Sequence, residues 1–128
     1  MAGDVNLQRR EVRMAEIGNY KFGEIEVDGK IYTGDIKIVA GSVISNWWRR
    51  EGHVLAVSDV EEILSDPPQV LVVGMGLPGL MKVDAQLRER LASIGTSLIE
   101  RPTPGAVAAF NDFTRSGGKV AGAFHLTC

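Results

Sequence analysis

"QVLVVGMG", Gln69 to Gly76, decides the fold. It is a short, nearly unbroken apolar run rich in β-branched valine, the pattern of a strand covered on both faces. Reading outward from it gives helices and strands in alternation. Downstream, Val83, Leu87, Leu91 and Ile94 fall at helical spacing and Gly95 supplies a stop. "TSLIER" (96–101) reads as a second strand. Thr103 and Pro104 read as an N-cap followed by proline at the first helical position, with Val107, Phe110 and Phe113 along the buried stripe and Gly117-Gly118 at the end. "KVAGAFHLTC" (119–128) is the last strand. Upstream, Ser58 with Glu61 has the form of a capping box ahead of Val60, Ile63 and Leu64, and Asp66-Pro67-Pro68 stops that helix. Strands separated by helices predict an α/β domain with a largely parallel sheet covered on two sides.

The amino-terminal part has a different period. "FGEIEVDGKIYTGDIKIV" (22–39) reads as a β-hairpin turning at Asp28-Gly29. Both turn residue types tolerate positive φ. Tyr32, Gly34, Ile36 and Ile38 alternate onto one face of the return strand, and Gly41-Ser42 ends it. This hairpin is expected as an extra β layer or a sheet extension. Residues 1–14 carry no strong pattern and are expected as a tail, leaving 15–128 as a single domain.

Bulk properties narrow the function classes. Fourteen basic and 16 acidic residues give a formal charge of -2, with no basic block, so a nucleic-acid surface is not expected. The longest apolar run is broken by Gly and Pro, so no membrane span is expected. One cysteine, Cys128, rules out an intrachain disulfide, and the amino terminus lacks an apolar signal core, so the expected compartment is the cytoplasm. Two histidines and one cysteine have no ligand spacing, so neither a metal nor a cofactor is expected.

Two stretches attract functional readings. Gly74, Gly76 and Gly79 have the G-x-G-x-x-G spacing after a predicted strand, where backbone N–H groups can face an anion. However, Pro78 removes one donor and the helical pattern resumes only near Asp84. A tight structural turn is the plainer reading, ahead of a small-anion contact and well ahead of a dinucleotide site. In "NWWRREGHVL" (46–55), Trp47 and Trp48 point to opposite faces if the chain is extended, so one packs inside and the other borders a surface. Arg49 or Arg50 could stack on an indole or fork onto an anion, and His53 restarts a strand, "HVLAV". The blander alternative is a solvated Arg–Glu51 pair. On a regular last strand His125 and Cys128 point apart, which argues against a thiol–imidazole pair. No nucleophile elbow, phosphate-binding lysine loop or H-E-x-x-H helix is present, so no catalytic residues are assigned.

"FGEIEVDGKIYTGDI", "WWRREGH", "VLVVGMGLPGLMKV", "ERPTPGAVAAFN" and "FHLTC" together resemble the Mth-nine-three-eight-like domain family, which includes the adipogenesis-associated domain proteins and is related to a mitochondrial complex I assembly factor. The resemblance covers roughly residues 20 to 128. It implies a three-layer α/β fold with a mixed central sheet, helices and an additional β-hairpin layer. It supplies no reaction. Positions matching the family are Asp28, Gly29, Trp48, Arg49, Gly52, His53, Gly74, Gly76, Asn111, His125 and Cys128. Two expectations follow. The first is a non-enzymatic interaction or assembly module that grips a protein partner, or a second copy of itself, through the Trp-Trp-Arg surface. The second is a binder or enzyme for a small anion at the Gly74–Gly79 turn, walled by Arg49, Arg50 or His53.

Overall fold

The computed structural model describes residues 14–128. Most of the expected tail, residues 1–13, therefore lies outside the described residues. Three strands open the described chain: β1 (Ile17–Lys21), β2 (Glu24–Val27) and β3 (Lys30–Tyr32) form a small antiparallel sheet in that order. Asp28 and Gly29 join β2 to β3 with φ of 51° and 83°, the paired positive values of a tight hairpin turn.

The central sheet has five strands in the order β5-β4-β10-β7-β9. They are β4 (Ile36–Val39), β5 (Ser42–Ile44), β7 (Val70–Met75), β9 (Ser97–Arg101) and β10 (Val120–His125). β7, β9 and β10 are parallel, while β4 is antiparallel to β10 and β5 antiparallel to β4, so the sheet is mixed. The two-stranded parallel pair of β6 (Val54–Leu55) and β8 (Lys82–Val83) lies outside it.

Period-two alternation assigns the two faces. Leu71, Val73, Ala121 and Ala123 pack against helices α1 (Glu61–Ser65) and α2 (Ala85–Ser93) through Ile63, Leu64, Leu87 and Leu91. Val72, Phe124, Ile36 and Ile38 point the other way. There they meet α3 (Thr103–Arg115) through Ala106, Ala109 and Phe110, and the small sheet through Ile17, Ile25 and Val27. Phe110 and Phe124 meet edge-on with ring centroids 5.6 Å apart. The fold is thus three-layered, with two helices on one face and a helix plus an extra β layer on the other. Asn111 ties that last layer down: its side chain accepts from Ile17 N at 2.9 Å and donates to Ile17 O at 2.8 Å, as a neighbouring strand would.

Several local expectations change. The return strand of the hairpin breaks: Tyr32 stays in the small sheet, whereas Ile36 and Ile38 belong to the central one. Gly41 does not end the β segment but turns it into β5, with Ala40 and Gly41 both at positive φ. Ser58 does not cap. It lies in a 3-10 turn (Val57–Asp59), and the Asp59 carboxylate accepts from Ala56 N at 2.8 Å. Val83 belongs to β8 rather than to the helix, and the strand expected over "HVLAV" shortens to Val54–Leu55. Thr103 is the first helical residue rather than the cap, its hydroxyl being taken by tertiary bonds described below.

Candidate functional site: a buried carboxylate–imidazole–guanidinium cluster

Ligand sites of α/β sheets gather at the carboxyl ends of parallel strands, and the polar groups of this protein gather there too. Asp35 sits where the chain crosses from β3 to β4. A Cβ on the preceding Gly34 would stand 2.7 Å from Asn46 Oδ1, so the Asn46 side chain packs against that glycine. Across from it, His125 closes β10 on the face that carries Ala121 and Ala123. Arg49 comes from the irregular segment between β5 and β6.

Their contacts are closely specified. Asp35 Oδ1 accepts from Leu126 N at 2.8 Å. Asp35 Oδ2 accepts from Arg49 Nη1 at 2.7 Å and from His125 Nδ1 at 2.7 Å. A carboxylate has no proton to give, so Nδ1 carries the hydrogen in that bond. Nε2 is buried and has no hydrogen-bond partner. Arg49 Nη2 approaches Nδ1 to 3.1 Å, but its acceptor is Gly52 O at 2.6 Å, shared with Nε at 3.0 Å. Burial alone would raise the Asp35 carboxyl. Hydrogen bonds from His125, Arg49 and the Leu126 N–H, with the nearby imidazole charge, outweigh it and hold the group below its usual value.

Trp47 and Trp48 separate as expected. Asn46 takes a positive φ of 52°, and Trp47 N donates to Asp35 O at 3.0 Å. Trp47 is then buried while Trp48 is 89% exposed. The Trp47 ring has Arg49 Cζ at 5.1 Å and Lys37 Nζ at 5.2 Å from its centroid. Lys37, itself buried, donates to Asp59 O at 2.9 Å and to Glu62 Oε1 at 2.7 Å. That hydrogen bond from Lys37 holds the Glu62 carboxyl below its usual range. One continuous array of charged groups and an indole thus runs from Asp35 to α1.

A concavity of about 410 Å³ opens beside this array, lined by Asp35, Trp47, Trp48, Arg49 and His125, with Gly34, Asn46 and Gly52 between them. Four of the residues singled out from sequence meet there: Trp47, Trp48, Arg49 and His125. His53 stays outside as an exposed side chain, its ring edge-on to His125 at 6.0 Å between centroids. Arg50 lines a different hollow with Glu61 and Asp84.

The glycine turn departs from the anion-cradle expectation. Gly74 belongs to β7, and β8 intervenes before α2, so the turn opens no helix. Gly76 N donates to Thr103 Oγ1 at 3.0 Å, Leu77 N to Thr127 O at 2.9 Å and Leu80 N to Cys128 O at 3.2 Å. The Thr103 hydroxyl in turn donates to His125 O at 2.6 Å. These donors serve α3 and the segment that follows β10. Gly76 also gives His125 its space: the ring edge opposite Nδ1 lies where a Gly76 side chain would begin. Gly79 turns at a φ of 122° against Pro102.

Asp35 and Lys37 escaped the sequence reading. The available signal was a charged residue at Asp35 and at Lys37, alternating with the apolar Ile36 and Ile38. Cys128 is exposed and unpaired. Among the described residues no group of three or more His, Cys, Asp or Glu is placed to hold a metal ion. No helix among them is long and apolar enough to cross a membrane.

A family model described as "Protein of unknown function (DUF498/DUF598)" matches residues 17–125. The chain belongs to this family. Solved structures share the fold of this DUF498/DUF598 domain. The conserved hypothetical protein PH1505 from Pyrococcus horikoshii is 24% identical, with a TM-score of 0.74 over 88% of this chain and 99% of that one. The structure named MT938 is also 24% identical, with a TM-score of 0.73 over 89% and 99%. A Bordetella pertussis protein, named as a Mth938-like domain, is 20% identical, with a TM-score of 0.66 over 88% and 85%. At such identities the likeness establishes the shared fold. In this DUF498/DUF598 domain, Trp48 projects outward from the sheet end.

Proposed function

We propose that this domain is a non-enzymatic protein-binding module whose capture surface is the concavity rimmed by Trp48. The observation that supports this reading most is the exposure of Trp48. A largely exposed indole costs solubility, and Trp is the residue type most enriched among interface hot spots. Its mount is rigid: Trp47 is buried directly before it, and Arg49 directly after it is held by Asp35 and Gly52. Phe22, Leu77 and Leu80 are exposed around the same end of the sheet, on segments that hydrogen-bond to Leu126, Thr127 and Cys128 or adjoin residues that do.

Trp48→Ala tests the reading. The side chain packs on little, so unfolding free energy should change by no more than about 0.5 kcal/mol. Capture of partners by the immobilised domain should fall about tenfold or more, in line with a hot-spot truncation. An unchanged set and yield of captured proteins, with the variant folded, would count against it. The small-anion reading at Gly74–Gly79 has less support, because Gly76, Leu77 and Leu80 already donate to internal acceptors.

A further inference from the structure

We infer that the free edge of β9 joins a second copy of this chain, strand against strand and antiparallel, about a twofold axis at Ile99, so that the two central sheets become one. This goes beyond the capture surface and does not depend on it, since Trp48 lies at the end of the sheet and β9 along its side.

The edge is open. β9 stands last in the central sheet, paired with β7 alone among the described strands. Ser97 N donates to Gln69 O at 2.9 Å, which sets the alternation of the parallel ladder. Ser97, Ile99 and Arg101 turn their backbone groups to β7, and Leu98 and Glu100 turn theirs away. Among the described residues no backbone hydrogen bond outside the ladder reaches those outward groups. The side chains are unfinished too. Leu98 and Ile99 are only half-buried, whereas Leu71 and Val72, beside them on β7, are 0% exposed. Other strand edges are blunted: β3 and β5 have three residues each, and β1 has a break in register between Ile17 and Asn19. β9 keeps five residues in unbroken register and contains no proline.

The register identifies the occupant. With the axis at Ile99, Leu98 faces Glu100 of the second copy and exchanges both backbone hydrogen bonds with it, and symmetry repeats the pair. Ile99 meets its own counterpart, apolar against apolar, and Arg101 faces Ser97, so no like charges oppose. The Glu100 carboxylate is held against α2 by Arg88, at 2.7 Å and 2.6 Å. Neighbouring axes fail. An axis at Leu98 sets Glu100 against Thr96, whose N–H is already given to Leu91 O at 2.9 Å. An axis at Glu100 opposes two carboxylates and sets Leu98 against Pro102, which has no N–H. The chain's own sequence thus satisfies every outward group of β9 in one symmetric register, which is the argument for a second copy over a strand from another protein.

Sedimentation equilibrium and amide hydrogen exchange on the full chain test this together. The expected mass rises from 13.8 kDa towards twice that value as protein concentration increases. Exchange at the Leu98 and Glu100 amides should slow over the same range, while the Ile99 and Arg101 amides stay protected throughout. Glu100→Pro removes an outward donor and none that β7 uses, at an edge position where proline is tolerated. It should weaken association at least about tenfold, and Trp48→Ala should leave it unchanged. Should Glu100→Pro fail to fold, the wild-type exchange pattern decides. A single-chain mass at every concentration up to about 1 mM would overturn the inference. So would association that leaves Leu98 and Glu100 exchange unaltered, or that survives Glu100→Pro in the folded variant.

Discussion

Asp35→Ala should lose about 3–5 kcal/mol of unfolding free energy, read as a lower urea midpoint at neutral pH. The size follows from what the carboxylate leaves behind. The Arg49 side chain is only 5% exposed, so its charge would lose its carboxylate inside the protein. His125 Nδ1–H and Leu126 N would lose their acceptors at the same time. The exposed pairs Arg115–Glu16 and Lys119–Asp66 have similar distances but are bathed in water, which screens their attraction. Glu16→Ala should therefore be near neutral where Asp35→Ala is not.

The effect has a pH signature. Asp35 is held below its usual pKa in the folded protein. A depressed folded value means the folded state favours the ionised form. The resulting stability is fully present above the unfolded pKa of about 3.9 and is lost as pH falls through the folded value beneath it. Wild type should accordingly weaken in acid more steeply than Asp35→Ala, and the gap between them should narrow below about pH 4. Urea titrations at pH 7 and in acid check both points. A gap that stays constant would show that Asp35 does not act through its charge.

Gly76→Ala should cost about 2–4 kcal/mol, combining left-handed backbone strain with overpacking. Gly76 has a φ of 96°. A Cβ there would collide with Thr127 O and come within 2.8 Å of His125 Cδ2 and 3.0 Å of Cys128 O. Two of these three neighbours are backbone carbonyls that accept from Leu77 N and Leu80 N, so they cannot retreat without breaking those bonds. The third is the imidazole, so the substitution should also shift the His125 ring resonances. Gly52→Ala makes the comparison, since nothing lies within 4 Å of a Cβ there. It should be nearly neutral. Equal midpoints for the two alanine variants would mean that the turn is not packed against the last strand.

The α/β layering is legible in the sequence because its signals are local and periodic. The Gln69–Gly76 run, the Leu87/Leu91 stripe and the Asp28-Gly29 turn each fix an element from neighbours in sequence. One tryptophan in and one out is expected for an extended stretch; the segment is irregular, yet Trp47 is buried and Trp48 exposed. The break between Tyr32 and Ile36 is not legible, because the alternation continues unbroken through a change of sheet. That break is where Asp35 sits, so the centre of the site is hidden with it. His125 stands out in the sequence, but its partners lie 90 residues away at Asp35 and 76 away at Arg49, distances over which sequence carries no pairing signal. The glycine stretch is legible as a tight turn, but the partners of its N–H groups are not. Its N–H groups do point at acceptors, but those acceptors are Thr103 and the carbonyls of Thr127 and Cys128, brought there by tertiary folding.

The cluster at the sheet end depends on Nδ1 of His125 donating to the Asp35 carboxylate. Long-range ¹H–¹⁵N correlation of the imidazole ring in the free domain reads this directly. The expected result is a protonated Nδ1 bonded to Asp35. A bare Nδ1 would contradict it, since Nδ1 would then accept from Arg49 and the carboxylate would lose one of its donors.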